Sequence, residues 1–222
     1  MIELKNLCKS FYTRDGPKVV ADTINAVLPT GTAVALLGRN GAGKSTLMGM
    51  IGGTIKPDSG AINITGTVSW PVGFSGGFHG QLTGAQNTRF IARIYGVDTD
   101  SLLAFVEDFS ELGSHFYSPV RSYSAGMKAR LAFGVSIGIP FDTYLVDEVT
   151  AVGDAIFKRK SRIVFRERMK SAGALVVTHS MAQVRLLCQA GAVLENGVLV
   201  YYNDVEDAIA HHQRNMGSSE EE

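Results

Sequence analysis

The chain has 222 residues, 45% of them hydrophobic, and its 21 basic and 21 acidic side chains cancel to a formal charge of zero. That balance excludes broad electrostatic attraction to nucleic acid, and the length fits one domain with room for an inserted subdomain. Two cysteines, Cys8 and Cys188, imply no disulfide framework, residues 1–5 do not resemble a signal peptide, and no uncharged run is long enough to span a bilayer. A cytoplasmic chain is expected, with no nucleic-acid partner and with any membrane role supplied by another protein.

Residues 1–30 alternate short apolar stretches with turn residues such as Asp15-Gly16-Pro17, and predict a small antiparallel β layer. Ala33-Val34-Ala35-Leu36-Leu37 predicts a buried strand, and Thr46-Leu47-Met48 the start of a helix. Between them stands Gly38-Arg39-Asn40-Gly41-Ala42-Gly43-Lys44-Ser45, which fits the P-loop pattern G-x-x-x-x-G-K-[ST]. Glycines in such a loop let backbone N–H groups close on phosphate oxygens, and the helix start adds a favourable dipole. Lys44 is expected to neutralise β- and γ-phosphates, and Ser45 to hold Mg²⁺ through its hydroxyl.

Lys56-Pro57-Asp58-Ser59-Gly60 predicts a turn, and Ala61–Ile64 and Thr67–Trp70 short strands. A glycine- and aromatic-rich loop runs from Pro71 to Gly84. Residues 85–118 carry helical periodicity through Phe90, Ile91 and Ile94, then Leu102, Leu103, Phe105, Val106 and Phe109, as expected of a helical insertion. A helix is expected over 124–139, with Ser124 as its N-cap. The apolar strand 143–147 ends in Asp147, and a basic helix with Ile156, Phe157, Ile163, Val164 and Phe165 on its apolar face covers 156–169. A third apolar strand runs from Ala174 to His179, and Asn196-Gly197 predicts a type I′ hairpin turn between 192–195 and 198–201. His211 and His212 complete no metal-ligand set and are expected at the surface, and 217–222 as a disordered acidic tail. Continuous apolar strands separated by helices imply a mostly parallel sheet covered on both faces.

A P-loop needs a second anchor for its metal and a base for water. Asp147, at a strand end, fits the first role, and the adjacent Glu148 the second. His179 can bond a γ-phosphate oxygen. Ser124, ahead of a helix, offers either a simple cap or a further anion site.

In order and spacing these motifs resemble the ATP-binding cassette family along essentially the whole chain. By that resemblance Gly38 to Ser45, with Thr46, is the Walker A loop, Tyr144 to Asp147 is Walker B, and Glu148 is the catalytic glutamate. Tyr123 to Met127 is similar to the signature motif, Ala151-Val152-Gly153-Asp154 to the D-loop, and His179 to the switch histidine. Phe11 falls where the family places an adenine-stacking aromatic, with Tyr12 the alternative. The resemblance implies a P-loop NTPase with an N-terminal antiparallel β layer and a helical subdomain at about 80–138 inserted in a nucleotide-binding domain spanning 1–216. It also implies ATP and Mg²⁺ as ligands and a head-to-tail homodimer in which Ser124, Ala125 and Gly126 cap a γ-phosphate held by the other subunit. Two copies of a transmembrane permease are implied, contacted through residues from about Trp70 to Gln81.

The runs Trp70 to Phe78, Ser118 to Phe133 and Val146 to Asp154 narrow the resemblance to the ATPase subunit of capsular polysaccharide exporters. That implies a peripheral position on the cytoplasmic face of the inner membrane, within a wider capsule-export machinery. O-antigen, teichoic-acid and other lipid-linked glycan exporters share the pattern, and soluble non-transport cassettes are a further alternative. Three positions depart from the family. Ala125 replaces a signature glycine, Met127 a glutamine, and the loop around Phe74 lacks the usual glutamine, Gln81 being displaced from that place.

Overall fold

A computed structural model describes residues 1–14, 16–74, 76–147 and 154–217. Two compact units emerge, one comprising Met1–Pro71, Phe141–Val149 and Met169–Glu222, the other Val72–Pro140 and Thr150–Arg168.

The first unit contains two sheets. Strands β1 (Ile2–Thr13), β2 (Gly16–Leu28) and β4 (Ser59–Ile64) form an antiparallel layer in the order β2-β1-β4. The second sheet has the order β5-β6-β7-β3-β8-β9. Its strands are β3 (Ala33–Leu37), β5 (Val68–Pro71), β6 (Thr143–Asp147), β7 (Gly173–Val177), β8 (Ala190–Glu195) and β9 (Val198–Tyr202). All pairs are parallel except β8 with β9. Each residue of β3 and β7 is buried, as expected for strands covered on both faces. Helix α1 (Lys44–Ile51) joins Ile2, Leu4 and Leu7 of β1 and Leu36, Leu145, Leu175 and Leu194 of the larger sheet in one apolar core. The hairpin turn takes positive φ at both Asn196 (48°) and Gly197 (79°), the type I′ geometry that the Asn-Gly pair predicts.

The expected turn at Lys56–Gly60 is shorter than anticipated, because β4 already begins at Ser59, which pairs with Cys8. Asp58 ends the turn by accepting hydrogen bonds from Ser10 N and Lys9 Nζ, each at 2.7 Å, which fixes β4 against β1.

The second unit contains α2 (Gly84–Tyr95), α3 (Thr99–Ser110), two short 3-10 turns (Gly113–Tyr117 and Val120–Ser122), α4 (Ala125–Gly138) and nearly all of α5 (Ala155–Met169). Thr83 and Gln86 form a capping box at the start of α2. The periodicity that predicted its buried face is corrected. Phe90 and Ile94 are 56% and 60% exposed, while Gly84, Ala85, Asn87, Thr88 and Ala92 face inward. Small residues are required there: a Cβ at Gly84 would lie 2.6 Å from the Tyr123 hydroxyl. On α5 the buried stripe is Phe157, Ser161 and Phe165, and the expected core residues Ile156 and Ile163 are exposed.

Two helices not anticipated from sequence complete the first unit, α6 (Met181–Leu187) and α7 (Val205–Gly217). Gly217, expected in the tail, closes α7, and the remaining tail residues 218–222 lie outside the described residues.

Candidate nucleotide and phosphate site

The P-loop leaves the carboxyl end of β3, the place where open α/β sheets bind ligands. Gly38, Gly41 and Gly43 have φ of 153°, 79° and 105°, backbone that side-chain-bearing residues rarely adopt. The neighbours also exclude a side chain at two of them. A Cβ at Gly43 would lie 2.2 Å from a Val20 methyl, and one at Gly38 would lie 2.3 Å from the Leu194 carbonyl oxygen. Gly43 caps α1 without any side-chain hydrogen bond, and no acidic residue stands in the first helical turn. The first N–H groups of α1 are thus oriented for an anion. Arg39, Asn40, Gly41 and Ala42 form the outer wall of the loop and line a cleft with Lys18, Val19, Glu195 and Asn196.

Lys44 folds back along this loop, its Nζ donating to the carbonyl oxygens of Gly38 (2.7 Å) and Arg39 (3.0 Å). Burial pushes its pKa down, while the charges of Asp147 and Glu195 oppose that shift. Ser45, one residue on, donates its hydroxyl to Asp147 Oδ2 at 3.3 Å, and Thr46 is half-buried behind it. Two residues far apart in sequence therefore present hard oxygen donors at one point, a set that suits Mg²⁺. Strand β6 carries Asp147 there because β7 alone separates it from β3. His179 follows β7 by two residues, so the expected strand ends earlier, at Val177. Its imidazole is exposed on the same carboxyl edge of the sheet. Glu148 and the D-loop residues Ala151, Val152 and Gly153 lie outside the described residues.

Phe11 is 39% exposed and Tyr12 93% exposed, both near the end of β1. Lys9 Nζ stands 5.1 Å from the Phe11 ring centre, so that ring already receives a cation on one side.

The second unit carries its own cleft, lined among others by His115, Ser124, Gly126, Met127, Arg130 and Asp154. Ser124 caps α4, its Oγ accepting from Met127 N at 3.2 Å. Ala125 is the first residue of the helix. Among the described residues, a Cβ at Gly126 would meet only Ser124 Oγ, 3.9 Å away. Asp154 accepts from Arg130 at 2.8 Å and, through its other oxygen, from Phe157 N at 2.9 Å. Arg130 also pairs with Glu111 and lies over the Phe157 ring. Sequence reading missed Arg130, whose sign is only its place one helical turn beyond the signature residues.

The loop expected to meet a permease is organised by Asn87, a buried amide in α2 that sequence reading also missed. Its Oδ1 accepts from His79 N, and its Nδ2 donates to the carbonyls of His79, Leu82 and Thr83. Val120 N and Arg121 N donate to the carbonyls of Leu82 and Gly80, each at 2.9 Å, tying that loop to the segment that leads into Ser124. Gln81 is exposed.

The expectation that His211 and His212 are plain surface residues is corrected. His211 Nδ1 is 2.9 Å from the Tyr202 hydroxyl, and Nε2 is 3.3 Å from Asn215 Nδ2. Among the described residues, His212 Nδ1 is buried and has no hydrogen-bond partner, and α7 packs on β8 and β3. Among the described residues no group of three or more His, Cys, Asp or Glu could hold a metal ion.

The family model described as "ABC transporter" matches residues 21–151. The "Polysialic acid transport ATP-binding protein KpsT" of Escherichia coli is 47% identical over 212 residues, covering 94% of this chain and 95% of that protein. The "Capsule polysaccharide export ATP-binding protein CtrD" of Neisseria meningitidis serogroup B is 44% identical over 212 residues, covering 96% and 98%. Among solved structures, the dimeric post-hydrolysis state of the ATP-binding cassette MJ0796 bound to ADP and Pi superposes with a TM-score of 0.74 at 19% identity, over 92% of this chain and 99% of that one. That likeness carries the fold.

Proposed function

The chain belongs to the ABC transporter family, and on that premise we propose that it is the ATP-hydrolysing subunit of a capsular polysaccharide exporter. The observation that carries the chemistry is the meeting of Ser45 and Asp147 beside the glycine loop and Lys44. The substrate class comes from the similarity to polysialic acid transport and capsule polysaccharide export proteins and from the runs around Trp70, Ser124 and Asp147.

In this reading the N–H groups of the P-loop and α1 hold the phosphates of ATP, and Phe11 or Tyr12 stacks on the base. Lys44 turns from the Gly38 and Arg39 carbonyls toward the β- and γ-phosphate oxygens. Ser45 and Asp147 hold Mg²⁺, which when bound neutralises charge on those oxygens. Glu148 accepts the proton of the attacking water as the bond from the γ-phosphorus to the ADP oxygen breaks, and His179 bonds the departing phosphoryl oxygens. Ser124, Ala125 and Gly126 of a second copy close over the γ-phosphate, with Asp154 fixed by Arg130. A homodimer docks two copies of a membrane permease through residues around Trp70 to Gln81, at the cytoplasmic face of the inner membrane. Among the described residues no helix is long and apolar enough to cross a membrane.

Glu148→Gln is expected to lower turnover by about 10² to 10⁴ and to trap an ATP-bound dimer visible by gel filtration. Parental turnover would remove Glu148 from the role of base. Purification of the chain from detergent-solubilised native membranes is expected to recover a multi-span permease encoded beside capsule-export genes. Recovery of an O-antigen or teichoic-acid permease would reassign the substrate, and recovery of ribosomes or of the chain alone would defeat the transport reading.

A further inference from the structure

Lys18 has no part in the phosphate chemistry above, yet its side chain reaches the loop that carries it. Strand β2 lays two side chains on the P-loop. Val20 fills the space beside Gly43, where a Cβ would lie 2.2 Å from a Val20 methyl. Lys18 reaches Gly41, where a Cβ would lie 3.2 Å from Lys18 Nζ. Gly41 has a φ of 79°, so it is bare both for its backbone path and for the ammonium set against it. Lys18, Arg39 and Gly41 line one cleft.

The register of the antiparallel layer puts the same lysine beside an aromatic ring. Phe11 of β1 stands opposite Lys18, and Tyr12 opposite Pro17. Residues directly opposite in an antiparallel pair share a face of the sheet, and successive residues alternate between faces. Phe11 and Lys18 therefore project from one face and Tyr12 from the other. Lys9, which also approaches the Phe11 ring, is bound to Asp58 at 2.7 Å. Among the described residues no hydrogen bond or ion pair holds the exposed Lys18 ammonium.

We propose that Lys18 is a nucleotide-binding residue whose ammonium takes the α-phosphate of a nucleotide with its base on Phe11 and its terminal phosphates in the P-loop. This rests on reading residues 38–46 as a nucleotide-phosphate site. A nucleotide so placed runs from the ring to the loop, and Lys18 joins the same two points, opposite Phe11 and against Gly41. Between the base and the terminal phosphates stand the ribose and the α-phosphate, and of these the α-phosphate carries the charge. A bond from an ammonium to a phosphate oxygen is among the stronger hydrogen bonds a side chain makes. Lys44 and Lys18 then divide the phosphate chain, one at its terminal end and one at its sugar end. Because ATP and ADP share the α-phosphate, Lys18 holds substrate and product alike, which is uniform binding rather than transition-state stabilisation.

Equilibrium titration of Lys18→Gln with MgATP and with MgADP tests this. Both affinities should fall about fivefold, and Lys18→Arg, which keeps the charge, should recover most of the loss. Lys18→Met is the second neutral variant, in case the Gln amide itself bonds a phosphate. Thermal unfolding without nucleotide should give the parental midpoint in all three, since the side chain is exposed. Parental affinity for both nucleotides in the Gln and Met variants would overturn the proposal. A loss for MgATP alone would place the ammonium at the γ-phosphate and overturn the α-phosphate assignment. A wild type that binds neither nucleotide would instead overturn the phosphate-site reading on which the role of Lys18 rests.

Discussion

Lys44 illustrates how one side chain is held ready by its surroundings. Its ammonium is half-buried on two loop carbonyls, and burial lowers its pKa while the charges of Asp147 and Glu195 oppose that shift. Replacing it with alanine removes the ammonium held within the glycine loop, so Lys44→Ala should weaken MgATP binding at least about tenfold by equilibrium titration. An unchanged affinity would contradict the phosphate site. The two cysteines differ for equally local reasons. Burial pushes the Cys188 thiol up to about 12. Hydrogen bonds from Ser59 and Thr23 hold Cys8 below its ordinary value at a half-buried position. Since the thiolate is the nucleophile, iodoacetamide at neutral pH should label Cys8 and leave Cys188 unmodified until the protein unfolds. Labelling of both at equal rates, read by mass spectrometry of the folded protein, would contradict this.

At the scale of elements, legibility followed whether the determining forces were local. The P-loop was readable because its glycines serve a backbone path that each must follow in place, and the hairpin turn because Asn196 and Gly197 alone supply both positive φ values. The buried face of α2 was not readable. Periodicity counts apolar residues, whereas at Gly84 Tyr123 and Phe116 approach the helix too closely for anything larger. Helix α7 was missed because its inward residues, Val205, Ala208 and Ile209, are few and small. Gly84→Ala should overpack the Tyr123 contact and cost about 1–3 kcal/mol in urea unfolding, a large penalty for one methyl. Ser124→Ala should cost about 1 kcal/mol by loss of the α4 cap, in addition to any loss of hydrolysis. A Gly84→Ala chain as stable as its parent would show that α2 can shift freely, against the packing described.

For the molecule as a whole, acid should act in two stages. His212 has a folded pKa below the 6.5 of an unperturbed imidazole, so the unfolded chain binds the proton more readily. Stability is therefore full above about 6.5 and falls as pH drops toward the folded value, then levels. Asp58, Asp98, Asp142 and Asp154 have folded pKa values held below 3.8, mainly by hydrogen bonds from Lys9, Ser101, Thr67 and the Phe157 N–H respectively. Their contribution is present above that value and is lost as pH falls through the lower folded pKa values. Urea midpoints across the acid range should show both declines, and His212→Gln should remove only the upper one; a single decline below 4 in wild type would contradict the burial of His212. The backbone bonds from Val120 and Arg121 to Leu82 and Gly80 carry a mechanical corollary. Two strands of chain stitched together by main-chain groups behave as one stiff lever. A tug on the glycine-rich loop at one end would arrive at the cap of α4 at the other with little lost to bending. No side-chain substitution short of proline would cut that linkage, so it is insulated from drift in the residues that line it.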